Sequence, residues 1–143
     1  MTIEESLRGL YALLEGSQRT VVFFDTDTDG TTAYLQLKQA FSQQVKGFPF
    51  DKKESAEEEL LNRVPADTEV VVFLDVPSLR ESLLSRLFEQ KIVWVDHHPT
   101  NERELIERHG IYHINPLDYE EQDARPVSYW MYRLIGSQEG LFY

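Results

Sequence analysis

Three separate hydrophobic runs in this chain each end in an acidic residue: VVFF at Asp25, VVVFL at Asp75 and IVWV at Asp96. Runs that are apolar at every position, with no alternation, belong to strands buried on both faces, and so to a parallel sheet covered by helices. In open sheets of that kind the ligand crevice lies beyond the carboxyl ends of the strands. The three carboxylates are therefore expected to meet at one sheet edge, where ligands bind.

Between the runs the apolar spacing becomes helical. Ile3, Leu7, Leu10, Leu13 and Leu14 predict a helix over 2–15, with Thr2 as N-cap and Gly16 just beyond it. Ala33, Leu35, Leu37, Ala40 and Phe41 suit a second helix over 31–45, followed by a short edge strand over 47–50. The charged stretch 51–63 reads as a helix anchored by Leu60 and Leu61 and ended by Pro65. Pro77 and Ser78 open another over 79–90, with Leu79, Leu83, Leu84, Leu87 and Phe88 on one stripe. With its flanking strands this makes a crossover unit of roughly 28 residues. Thr100 or Asn101 is placed to cap a helix to His109, 111–114 is a further strand, and a last helix covers about 124–135. The expectation is an α/β fold: a parallel, doubly wound sheet of four to five strands with helices on both faces.

At 143 residues the chain is expected to form one domain that folds without disulfides or structural zinc. Cysteine is absent, which excludes thiolate metal sites and cysteine nucleophiles and makes the cytoplasm the expected compartment. No secretory signal or bilayer-spanning run is visible, so a soluble protein with no membrane partner is expected. The net charge of −11, from 25 acidic and 14 basic residues, argues against holding nucleic acid by counterion release alone. Bound divalent cations would reverse that field locally and turn an acidic pocket into an anion receptor.

The first run continues as Asp25-Thr26-Asp27-Thr28-Asp29-Gly30, and at period two the three acids would project to one side of an extended chain. Carboxylates that close repel one another, and a divalent cation is the ordinary remedy. Gly30 would let the chain turn, and Thr31 or Thr32 could cap the next helix and meet a phosphate at its N-terminus. Asp75 precedes Val76-Pro77-Ser78 and on its own reads as a helix-initiating acid. Asp96-His97-His98 ends the third run before Pro99. Neighbouring histidines on an extended segment face opposite ways, so one would enter a metal shell and the other would serve acid or hydrogen-bond chemistry. Asp96 could orient an imidazole. His109 and His113 read as structural. In the segment 125–133, Arg125 and the exposed Tyr129, Tyr132 and Arg133 are candidates for stacking bases, while Val127, Trp130, Met131 and Leu134 make a core face.

In that order, D-T-D-T-D-G, F-L-D-V-P, V-D-H-H-P and I-N-P resemble the motifs of the DHH phosphoesterase family over nearly the whole chain. The family includes RecJ-type single-strand exonucleases, oligoribonucleases, cyclic dinucleotide phosphodiesterases, pyrophosphatases and exopolyphosphatases, commonly with manganese. The resemblance implies Asp27, Asp29, Asp75 and His97 as metal ligands with Asp25 beside them, His98 on the phosphate and Asp96 supporting the histidines. Two ions, manganese or alternatively magnesium, would activate a water and neutralise the phosphoryl oxygens. Where many members carry a histidine before the first motif, this chain has Phe23, and no late motif aspartate or glycine-rich C-terminal substrate domain follows within the 143 residues. The expected activity is phosphodiester hydrolysis in single-stranded or short nucleic acid. Cyclic dinucleotide or polyphosphate substrates are alternatives, as is a catalytically idle module that assembles with itself or with a partner protein.

Overall fold

A computed structural model describes residues 1–138. Strands β1 (Thr20–Phe24), β2 (Val45–Pro49), β3 (Val70–Leu74), β4 (Lys91–Val95) and β5 (Tyr112–Ile114) form one sheet in the order β2-β1-β3-β4-β5, with every pairing parallel. Helices α1 (Ile3–Gly16), α2 (Thr28–Ala40), α3 (Glu57–Asn62), α4 (Glu81–Ser85), α5 (Arg103–Arg108) and α6 (Val127–Gln138) surround it. Successive strand residues point to opposite faces, so each run supplies both layers. Val22, Val72, Leu74, Val93 and Val95 pack with α1, α2 and α6, while Val21, Phe23, Val71, Phe73 and Trp94 pack with residues of α3, α4 and α5. The α/β, doubly wound architecture read from the sequence is the one observed.

The strand order reverses between β1 and β3, and a reversal of this kind opens a crevice at the carboxyl edge. The register decides what borders it. Phe24, Leu74, Val95 and Ile114 are successive partners across β1, β3, β4 and β5. The residues one step further on are Asp25, Asp75, Asp96 and Asn115, and their ladder continues: Asp25 N–H donates to the Leu74 carbonyl at 3.1 Å, Asp75 N–H to Val95 at 2.9 Å and Asp96 N–H to Ile114 at 3.0 Å. Three acids and an amide thus stand in one row along the sheet edge.

Several boundaries differ from the sequence expectation. Helix α2 starts at Thr28, three residues before Thr31, because Asp27 caps it by accepting the Gly30 N–H at 2.8 Å. Helix α4 stops at Ser85 and passes into turns, so Leu87 stays buried but Phe88 leaves the expected apolar stripe and is 79% exposed. The charged stretch after β2 forms a 3₁₀ turn (Glu54–Ala56) before α3, and neither Thr100 nor Asn101 caps α5. Helix α1 matches: Thr2 and Glu5 form a reciprocal capping box. Among the described residues, no helix is long and apolar enough to cross a membrane.

Candidate metal centre

Asp25 leaves β1 and accepts the Thr26 N–H at 2.8 Å. The next residues do not stay extended, so the expected one-sided projection of Asp25, Asp27 and Asp29 is replaced by three distinct placements. Asp25 ends the strand, Asp27 caps α2 and Asp29 lies in its first turn. Gly30 is helical and makes no sharp turn; its reason is proximity, since a Cβ there would lie 2.1 Å from the Asp25 carbonyl oxygen. The absence of a side chain is what lets the start of α2 press against the end of β1. Thr31 and Thr32 sit one turn inside the helix, so neither is its cap, and Thr31 N–H bonds the Asp27 carbonyl.

Asp75 is 0% exposed, and its backbone adopts φ +62°, a left-handed conformation that costs free energy for a residue with a Cβ. Both of its carboxylate oxygens are buried without a backbone or hydroxyl donor, against the Asp27 carboxyl and the His97 imidazole. Burial first, and then the neighbouring acids Asp27, Asp29 and Asp96, push its pKa up to about 8. Burial also works to raise Asp27, but the Gly30 N–H, the adjoining Asp75 carboxyl and the two histidines outweigh it and hold Asp27 below its ordinary range.

Asp96 is equally buried yet well partnered. Its Oδ1 lies 2.7 Å from His98 Nδ1 and its Oδ2 accepts the His98 N–H at 3.3 Å. Burial raises its pKa, with His98 pulling the other way. The chain bends at His98, so the two imidazoles do not diverge as an extended strand would make them; their rings lie 4.5 Å apart on the same side. His97 Nε2 stands 3.1 Å from Asp75 Oδ1 and 3.5 Å from Asp29 Oδ2. Asn115 received no role in the sequence reading. It donates its side-chain amide to the His98 carbonyl at 2.8 Å, and its sequence signal is the I-N-P segment, which sets an Asn at a strand end before Pro116.

The donors fit a divalent cation. Two groups, Asp25 with Asp27 and Asp75, and Asp75 with His97 and His98, each bring three ligand atoms within 4.8 Å of one another, and Asp75 belongs to both. Oxygen donors with imidazole suit manganese or magnesium. The unsatisfied oxygens of Asp75 are the deciding feature, because a buried carboxylate without a donor is costly unless a cation or a proton neutralises it. Asp29 is in neither group: its oxygens accept the N–H groups of Ser128 at 2.7 Å and Val127 at 3.0 Å.

Other candidates lie elsewhere. Arg125 is bound to Asp123 and lies over the Tyr129 ring at 4.0 Å. Val127, Trp130, Met131 and Leu134 are core, as expected, and of the three candidates on α6 expected to be exposed, Tyr132 is 51% exposed while Tyr129 and Arg133 are partly buried. His109 pairs with Glu81 at 3.0 Å, and His113 faces Asp118 at 3.5 Å and packs on Trp94.

No protein-family model matches the chain. A curated protein of Halalkalibacterium halodurans named "Putative pyruvate, phosphate dikinase regulatory protein" is 35% identical over 88 residues, covering 57% of this chain and 33% of its own length. Among solved structures, RecJ in complex with Mn²⁺ from Thermus thermophilus matches 96% of the chain with TM-score 0.64 and 21% identity. The chain has a RecJ-like fold. A second exonuclease RecJ bound to manganese gives TM-score 0.64 at 19% identity over 99% of the chain, and CDC45 from Entamoeba histolytica gives 0.70 at 15% over 98%. The chain spans 22%, 39% and 30% of those three structures, and about a third of the curated relative.

Proposed function

We propose that residues 1–143 are a single DHH-type domain acting as a metal-dependent phosphoesterase core, which hydrolyses phosphodiester bonds in single-stranded or short nucleic acid. The observation that carries this reading is Asp75, whose buried carboxylate receives no backbone or hydroxyl donor and lies where two sets of cation ligands meet. Asp25, Asp27, Asp29, Asp75 and His97 would hold manganese or magnesium, which when bound supplies Lewis acidity and offsets phosphoryl charge. His98 is oriented through Nδ1 by Asp96, leaving Nε2 to hydrogen-bond a phosphoryl oxygen or to move a proton. Manganese in the two RecJ structures supports the choice of ion. A negative surface argues that the cations, more than basic side chains, would draw the substrate in.

A second reading, an idle module that binds a partner protein or a second copy of itself, is favoured by Phe23. That position, two residues before Asp25, is committed to the core, where its ring stacks on Phe73 at 5.6 Å and offers no ligand. The readings separate in one assay. Release of nitrophenolate from bis(p-nitrophenyl) phosphate and shortening of a single-stranded oligonucleotide are measured with Mn²⁺ for wild type and Asp75→Ala. Turnover that Asp75→Ala abolishes supports the enzyme; equal rates in both proteins discard it.

A further inference from the structure

We infer that Trp94 is a positioning residue for Asp75, its indole N–H clamping the backbone beyond Asp75 so that the carboxylate is held where the cation ligands meet; this rests on the metal reading above. Asp75 is one of two non-glycine residues with a left-handed backbone among the described residues. Aspartate tolerates that region better than most side chains, yet still at a cost, so the surroundings must enforce it. Strand β4 does so from two sides. On one, the Val95 carbonyl takes the Asp75 N–H at 2.9 Å and continues the sheet ladder. On the other, Trp94 Nε1–H donates to the Val76 carbonyl at 2.7 Å, in a buried hydrogen bond. Between those anchors the chain has little freedom. Val76 precedes Pro77, so its backbone is confined to the extended region, and Pro77 fixes its own φ. The Val76 side chain is buried in the same core cluster as Leu83 and Leu84 of α4. Asp75 is therefore the joint that absorbs the change of direction between a ladder-bound strand and a stiff dipeptide, and its φ of +62° is the result. Trp94 cannot yield easily. It is fully buried, its N–H has no water to turn to, and its ring packs on His113 with centroids 5.0 Å apart. Its influence on the cluster runs through the peptide it holds.

The test compares wild type, Trp94→Phe and the core variant Val93→Ala. Phe keeps an apolar ring but has no N–H, and Val93 packs on the opposite face of the same strand. Mn²⁺ affinity is read from the electron paramagnetic resonance of the free ion, at a temperature where all three proteins are folded, so that lost stability does not enter. Trp94→Phe should weaken Mn²⁺ binding roughly tenfold, the worth of one hydrogen bond. Val93→Ala also melts earlier, but its affinity should stay within about threefold of wild type. Without metal, the Asp75 Cα and Cβ resonances, which report backbone conformation, should move in Trp94→Phe and hold still in Val93→Ala. Mn²⁺ binding of wild-type strength in Trp94→Phe, or unmoved Asp75 resonances, overturns the assignment. Should Trp94→Phe fail to fold, wild type decides: during a titration with diamagnetic Mg²⁺ the Trp94 Nε1–H signal should shift with saturation, and by more than that of Trp130. A Trp94 signal that stays still as Mg²⁺ binds overturns the clamp as well. If wild type binds neither ion, the metal reading fails, while the metal-free Asp75 resonances still decide whether Trp94 sets this backbone.

Discussion

Asp75 and Asp96 occupy equivalent positions one strand apart, each the first residue past a central strand and each fully buried, yet their surroundings are opposite. Asp96 is enclosed by protein donors, the His98 imidazole and backbone N–H, and behind His98 stands Asn115. Asp75 receives no backbone or hydroxyl donor, has only the Asp27 carboxyl and the His97 imidazole against it, and has a strained backbone. A carboxylate in that state is held neutral by a proton or paired with a cation, so the second environment is open to an external cation, whereas the first is complete in itself. The two strand ends divide the labour of a site, one recruiting and the other orienting.

The largest consequence is thermal. If Asp75 recruits the cation, Mn²⁺ at a thousand times its Kd stabilises wild type by about 4 kcal/mol and raises Tm by roughly 10 °C. Asp75→Asn should show almost none of this rise in a melting titration. Its metal-free pH profile should also change. The folded protein holds the Asp75 proton more tightly than the unfolded chain, with a pKa of about 8 against an ordinary 3.8. Its contribution to stability is therefore complete below about pH 4 and is lost as pH rises through about 8. The raised Asp96 acts in the same direction. Asp75→Asn should flatten this decline and make the metal-free protein more stable than wild type at pH 8. A decline of wild-type steepness in the variant would show that Asp75 is not the group titrating.

Asp96→Ala should act the other way. It leaves the His98 ring and N–H without their buried acceptor and costs about 2–3 kcal/mol in metal-free denaturation. A cost below about 0.5 kcal/mol, the range usual for surface changes, would place Asp96 outside the framework and remove half of the contrast.

How much of this was open to inspection in the sequence follows from the kind of interaction involved. The strands were legible because Val70 to Leu74 is apolar on both faces, and the row of acids because a charge that closes such a run must leave the sheet at its edge. The start of α2 was not, since an Asp serves equally as ligand and as N-cap and only geometry separates the two uses of Asp27. Helix α4 was overrun because Leu87 and Phe88 continue the helical spacing through a turn. The pairing of His97 with His98 depended on a bend, and the tie from Asp29 to α6 joins residues almost a hundred apart. Periodicity reports neither.

Gly30 belongs to the Asp75 side of the comparison, because it sets how closely the Asp27 cap approaches the row. Gly30→Ala would drive a methyl into the Asp25 carbonyl, a backbone atom that cannot step aside. About 2 kcal/mol should be lost, despite the gain in helix propensity. The cation response should weaken with it, as Asp25 and Asp27 shift relative to Asp75. A stabilised Gly30→Ala, as propensity alone would give, would mean that the two elements separate easily and that the spacing is not enforced.

Asn115 gives the smallest effect and isolates the orienting side. Its amide donates to the His98 carbonyl at 2.8 Å, while its oxygen accepts Leu117 N–H at 3.0 Å and caps the 3₁₀ turn Pro116–Asp118. Asn115→Ala removes one bond on each side and should cost about 1 kcal/mol without metal. Asn115→Asp keeps the acceptor for Leu117 but sets a carboxylate oxygen against the His98 carbonyl, so despite its smaller change in shape it should cost more than Ala. Neither substitution touches the Asp75 oxygens, so the Mn²⁺-induced rise in Tm should persist in both. A variant with intact metal-free stability and a vanished cation response would reverse the assignment, placing Asn115 with recruitment and leaving Asp96 and His98 without their prop.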